Sequence, residues 1–194
     1  MLNIVLYGPP GAGKGTQSGK IIEKYGLVHA STGDMLRGEI AAGTQLGKEA
    51  KKYIDKGKLV PDDAVIGALE HFIQENFNPK GFVFDGFPRN LNQAESLDSM
   101  LAERGTSITV MIAIEVEEQE LMKRLKIRGE SESRSDDENA VIRNRLKLYR
   151  KTTDIIKSYY EKKGKFRSVD GIGTVEEIFS RICSVINEAY KIKA

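Results

Sequence analysis

Leu2-Asn3-Ile4-Val5-Leu6-Tyr7-Gly8-Pro9-Pro10-Gly11-Ala12-Gly13-Lys14-Gly15-Thr16 decides how this chain is built. Residues 2–7 are a short, mostly apolar run of the kind that forms a buried strand, and residues 17–25 read as a helix. Between them, glycines let the main chain approach an anion with no Cβ in the way, and a helix N-terminus aims its amides at the same point. Lys14 adds a flexible positive charge for terminal phosphates. The segment reads as a polyphosphate cradle. Its commonest form has serine or threonine directly after the lysine, whereas here Gly15 stands between Lys14 and Thr16.

Outward from this segment the same alternation repeats. Runs at residues 82–84, 108–116 and 166–169, with a weaker one at 27–30, are separated by stretches of helical period, which predicts a parallel sheet covered on both faces. Pro61 fits a first helical position ahead of Val65, Leu69, Phe72 and Ile73. Thr44 is placed to cap a helix that Gly57 ends. Residues 137–163 form a longer helix with Ile142, Leu146, Tyr149, Ile156 and Tyr160 on one stripe, and Thr174 is placed to cap the last helix. Residues 129–135 read as a polar, serine-rich flap between two helices.

Composition narrows the possibilities further. A chain of 194 residues is long enough for one well-buried domain without disulfide or metal staples. A net charge of +2 excludes a uniformly basic nucleic-acid coat and an acidic disordered tail. The single cysteine, Cys183, excludes an internal disulfide framework and suits a reducing compartment, so the cytoplasm is expected. No leader-like segment opens the sequence, and no apolar run approaches the ~20 residues of a membrane span.

GPPGAGKGTQ resembles the P-loop of nucleoside monophosphate kinases, in which glycine and threonine follow the lysine. Ser31-Thr32-Gly33-Asp34-Met35-Leu36-Arg37, Gly57-Lys58-Leu59-Val60, Asp85-Gly86-Phe87-Pro88-Arg89 with Gln93, and Arg128-Gly129 followed by Arg134 and Asp136-Asp137 are similar in order and spacing to the successive motifs of adenylate kinases. The resemblance covers nearly the whole chain. It implies an α/β, three-layer P-loop fold with a central parallel five-stranded sheet. Its core would comprise residues 1–30, 61–127 and 138–194, with an inserted monophosphate-binding helical segment at 31–60 and a short lid at 128–137. It also implies reversible phosphoryl transfer from MgATP to AMP giving two ADP, Mg²⁺ as cofactor and, for a lid without cysteines, no zinc. Such a chain is expected to be a monomer.

Transfer between two polyanions gains mostly from positioning and charge neutralisation and needs no nucleophilic side chain. Two unit charges 4 Å apart interact by about 4 kcal/mol at an effective dielectric near 20, so several arginines closing on the phosphates would offset their repulsion. Between Leu121 and Lys151 ten basic residues face five acidic ones, a local excess that the net charge hides. Helical phase places Arg145 beside the apolar stripe, whereas Arg143, Lys147 and Lys151 point away. By resemblance, ATP is held by Gly11, Ala12, Gly13, Lys14, Gly15, Thr16, Arg124, Arg128 and Gly173. AMP is held by Thr32, Arg37, Lys58, Leu59, Val60, Gly86, Phe87, Pro88, Arg89, Gln93, Arg134 and Arg145. Lys14, Arg89, Arg128, Arg134 and Arg145 would be the catalytic set.

Asp85 ends an apolar strand at the sheet's carboxyl edge, where ligands bind in open α/β folds. It suits either Mg²⁺ held through water or a turn cap, and the resemblance implies the former. Asp136 and Asp137 read as lid partners for arginines or as caps of the following helix. His29 and His71 are isolated in sequence and read as ordinary packed or surface histidines.

A Gln93 amide can donate and accept at once against the N1 and amino edge of adenine, and with Thr32 it favours AMP over the substrates of UMP/CMP kinases, the nearest alternative. Arg124 stacking would tolerate several donor bases, so the donor is less tightly specified. A guanine-reading Asn-Lys-x-Asp segment is absent, which argues against a nucleotide switch. The basic 121–151 segment lacks the aromatic interleaving of a nucleic-acid module.

Overall fold

The computed structural model describes residues 1–132 and 139–191. Five parallel strands, β1 (Ile4–Tyr7), β2 (Val28–Ser31), β3 (Phe82–Asp85), β4 (Val110–Glu115) and β5 (Phe166–Asp170), form one sheet in the order β2-β3-β1-β4-β5. The chain enters at the sheet's centre and its order reverses beside β1, the topology that opens a crevice at the carboxyl ends of the strands. β1 begins at Ile4 rather than Leu2. Asn3, wholly buried, instead ties the strand's entry to its neighbours, with its Nδ2 donating to Thr106 Oγ1 and Ser107 O and its Oδ1 accepting from Phe82 N.

Successive strand side chains point to opposite faces, and both faces are covered. Val5 and Tyr7, with Phe82 and Phe84, pack under α4 (Asp62–Glu75), α5 (Leu91–Glu103) and the later part of α7 (Asn139–Lys162) through Leu69, Ile73, Leu97, Leu101, Ile156 and Tyr160. Ile4 and Leu6, with Ile112 and Ile114, pack against α1 (Lys14–Tyr25), α6 (Glu118–Glu132) and α8 (Val175–Lys191) through Ile21, Leu121, Leu125, Ile178 and Ile182. Fully burying each such side chain contributes about 1.5–3 kcal/mol. The α7 stripe divides between the two cores, Ile142 and Leu146 to one and Tyr149, Ile156 and Tyr160 to the other.

Residues 31–60 leave the sheet as α2 (Thr32–Ala42) and α3 (Gln45–Ile54). Thr44 caps α3, its Oγ1 accepting from Gly47 N at 3.0 Å, and Thr174 caps α8 in a reciprocal box with Glu177. Helix boundaries also depart from expectation. Pro61 is the N-cap of α4, one residue before the first helical position, because its ψ of 138° stays extended. α3 stops at Ile54, and Gly57, at φ 64°, closes a turn in which Lys58 N returns to Tyr53 O. α6 continues through Glu132, so residues 129–132 are helix rather than flap; one internal glycine costs only about 1 kcal/mol and the glutamates beyond it favour helix. Arg134, Asp136 and Asp137 lie outside the described residues. Among the described residues no helix is long and apolar enough to cross a membrane.

Candidate active site

The opening loop takes the shape its glycines permit. Gly11 and Gly13 lie at φ 84° and 89°, and a Cβ on Gly11 would come within 2.8 Å of Leu125 Cγ. Gly13 is the N-cap of α1 and makes no side-chain cap, so the first amides of the helix face the loop. Lys14 Nζ donates to Gly8 O at 2.9 Å and Pro9 O at 3.0 Å, which folds the ammonium over the cradle. Gly15 and Thr16 are exposed on the first turn, and Ala12 is buried beneath it.

Burial pushes the Lys14 pKa down to about 8. Asp85 opposes that shift, while the positive charges of Arg89, Arg145 and Arg128 reinforce it. These arginines come from the loop after β3, from α7 and from α6, and all three act on one ammonium. Two of the three, Arg89 and Arg145, also meet Lys14 in space, whereas Arg128 does not line the cavity they share. A cavity of about 140 Å³ is bordered by Lys14, Arg89 and Arg145 together. Thr32 and Arg37 reach it from α2, and Lys58, Leu59 and Val60 from the segment after α3. Gly86, Phe87, Pro88 and Gln93 reach it from the β3–α5 connection. Within it, Thr32 Oγ1 and Arg89 Nε both donate to Gly86 O, at 3.1 and 2.7 Å, and Arg37 pairs with Asp34 at 2.5 Å. Arg145 is half-buried on α7, whereas Arg143, Lys147 and Lys151 are exposed.

Asp85 closes β3 in register with Leu6 and Ser31, at the sheet edge beside the loop. Burial alone would raise its pKa, but the neighbouring His29, Lys14 and Arg89 hold the carboxyl below its ordinary value. Arg124 and Gly173 do not border this cavity. Arg124 Nε pairs with Glu120 at 2.8 Å and its Nη2 donates to Gly171 O at 3.0 Å, which pins the guanidinium to the loop after β5 that carries Gly173.

Residues 6–165 match the family model described as adenylate kinase. Among similar proteins, adenylate kinase of Bacteroides fragilis is 50% identical over 187 residues, covering 96% of this chain and 99% of the relative. Adenylate kinase of Parabacteroides distasonis is 51% identical over 187 residues (96% and 98%), and that of Flavobacterium psychrophilum 49% identical over 188 (96% and 99%). The chain belongs to the adenylate kinase family. It is accordingly read as a phosphotransferase on an α/β P-loop fold, and the cleft just described is where that fold gathers its charge.

Within this adenylate kinase fold, several residues at the cleft carried no sequence signal. His29 Nε2 lies 3.8 Å from Asp85 Oδ2; the two are far apart in sequence and meet only because β2 pairs with β3. Tyr7 borders the cavity, with its ring centroid 5.2 Å from that of Tyr149 and its hydroxyl 3.3 Å from Thr153 Oγ1. Away from the cavity, Arg181 Nη1 donates to Asp170 O and Ile172 O, a second brace on the loop that Arg124 holds. Only the position of Tyr7 at the end of β1, the central strand, could have marked it.

The Asp85 carboxylate suits a hard divalent cation: it is anionic, it sits at the strand edge against the phosphate loop, and carboxylate oxygen is the ligand type magnesium prefers. Among the described residues no group of three or more His, Cys, Asp or Glu side chains gathers in a metal-holding arrangement.

Proposed function

We propose that the cleft transfers a phosphoryl group reversibly from MgATP to AMP, with ATP on the side of the glycine loop and AMP on the side of α2 and the β3–α5 connection. The observation that carries this reading is the meeting of Lys14, Arg89 and Arg145 around one cavity. Residues 11–16, Arg124, Arg128 and Gly173 bind ATP. Thr32, Arg37, Lys58, Leu59, Val60, the Gly86-Phe87-Pro88-Arg89 turn and Gln93 bind AMP, and Arg134 and Arg145 bridge donor and acceptor phosphates. Asp85 holds magnesium through water, and the ion, when bound, neutralises charge on the phosphate oxygens. Residues 31–60 and 128–137 act as moving parts that close over the nucleotides and exclude water. The relatives are named adenylate kinase, and a UMP/CMP kinase is not favoured. The chain works as a monomer in the cytoplasm, supplying ADP for adenine nucleotide balance, with no membrane or nucleic-acid partner.

A turnover panel of AMP, CMP, UMP and GMP with MgATP tests the reading. ADP formation that requires both ATP and AMP, with two ADP per ATP consumed, is expected. Faster turnover of CMP than of AMP would overturn it.

A further inference from the structure

Asp62 opens α4 directly after the Leu59 and Val60 segment, and its carboxylate collects three side-chain amides from the start of α5. Gln93 Nε2 donates to Oδ1 at 2.7 Å, Asn90 Nδ2 to Oδ1 and Oδ2 at 2.9 and 3.1 Å, and Asn92 Nδ2 to Oδ2 at 2.9 Å. At its other end the Gln93 amide meets the main chain, where Oε1 accepts from Arg89 N at 2.8 Å. Gln93 is only 2% exposed, so neither end exchanges freely with water. These hydrogen bonds hold the Asp62 carboxyl below its ordinary pKa against the opposing effect of burial, which keeps it an acceptor.

An ionised carboxylate can only accept and a main-chain N–H can only donate. Together they leave the Gln93 amide one way round. Turning it over would set Nε2 against the Arg89 N–H and Oε1 against the Asp62 carboxylate. Asn90 is fixed by the same logic, because its Oδ1 caps α5 by accepting from Gln93 N at 2.9 Å and its Nδ2 must then face Asp62. With these partners satisfied, Gln93 keeps one N–H and one oxygen lone pair, and the residue borders the cavity.

A 6-aminopurine presents an acceptor at N1 and a donor at its amino group. A 6-oxopurine presents the reverse, and the amide that matches one must be turned over to match the other. We infer that Asp62 is a positioning residue for acceptor specificity, holding Gln93 in the orientation that takes a 6-aminopurine monophosphate and rejects a 6-oxopurine monophosphate. The inference rests on the reading of Gln93 as the group that meets the acceptor base.

The experiment measures kcat and KM with MgATP for AMP and for inosine monophosphate, on the native chain, Asp62→Ala, Asp62→Asn and Gln93→Ala, with thermal unfolding to verify folding. Asp62→Ala is expected to lower the AMP-over-IMP preference in kcat/KM by about tenfold or more, mainly through a higher KM for AMP and a gain with IMP. Asp62→Asn keeps one carbonyl acceptor but can itself turn, so it falls between native and alanine, at a loss of at least about threefold. That variant decides the matter if the alanine form does not fold. A preference within twofold of native in the folded Asp62 variants, with Gln93→Ala abolishing it, overturns the inference and leaves Asp62 as a brace for the α4–α5 corner. An unchanged preference in Gln93→Ala overturns the reading of Gln93 itself, and the inference with it.

Discussion

The glycine loop and the proposed acceptor side of the cleft reach the same cavity by opposite means. The loop is one run of neighbours, residues 8–16, that works through backbone amides, left-handed glycines and a single lysine. The acceptor side is assembled from α2, the segment after α3, the β3–α5 connection and α7, each giving one or a few side chains. A site made of consecutive backbone fails as a unit when its shape or its one charge is lost. A site made of scattered side chains loses function by degrees, one contact at a time.

The largest expected effect lies on the loop side. Lys14→Ala removes the only side-chain charge the loop supplies and should lower kcat/KM by about a thousandfold or more, in steady-state assays with MgATP and AMP. A loss under tenfold would break the contrast. On the scattered side, Arg89→Ala and Arg145→Ala should each cost about a hundredfold. The double variant should lose less than the product of the two, because both arginines border one cavity and, on the proposed function, meet the same phosphates. Lysine at either position should recover little, since it lacks the planar fork.

A smaller effect sharpens the comparison through pH. Lys14 is an ordinary ammonium in the unfolded chain but titrates at about 8 in the fold. Above that pH the free enzyme loses the loop's cation, so kcat/KM for ATP should fall by up to about tenfold per pH unit, with an inflection near 8. Stability should move the other way. From about pH 8 to 10.5 the unfolded chain holds a proton that the folded chain has released, so the penalty this buried group places on folding is relieved as pH rises and stability increases. Comparing thermal midpoints of the native chain and Lys14→Met across that range isolates the effect.

The same contrast explains what could be read in the sequence. The loop was legible because its glycines, lysine and flanking strand and helix are contiguous, and the strands because their apolar runs are short and bounded. Arg145 was legible through helical phase as well as through the resemblance. The Asp85–His29 contact was not, because it depends on which strands pair, and residues of β2 and β3 lie more than fifty positions apart. The Asp62 carboxylate was invisible for a related reason: an acidic residue in the first turn of a helix is ordinary, and only the approach of α5 turns it into the centre of an amide network. Pro61 and Gly57 misplaced a helix start and a helix end by a residue or more because local signals mark the neighbourhood of a helix boundary less sharply than the cap or turn that sets it.

The central claim is that the loop and the scattered arginines grip one pair of nucleotides. Calorimetric titration with two adenosines joined through a chain of five phosphates tests it most directly. One molecule should bind per chain, far more tightly than ATP or AMP alone, and Lys14→Ala and Arg145→Ala should each weaken it. Binding no tighter than a single nucleotide, or left unchanged by one of the two substitutions, would contradict the account.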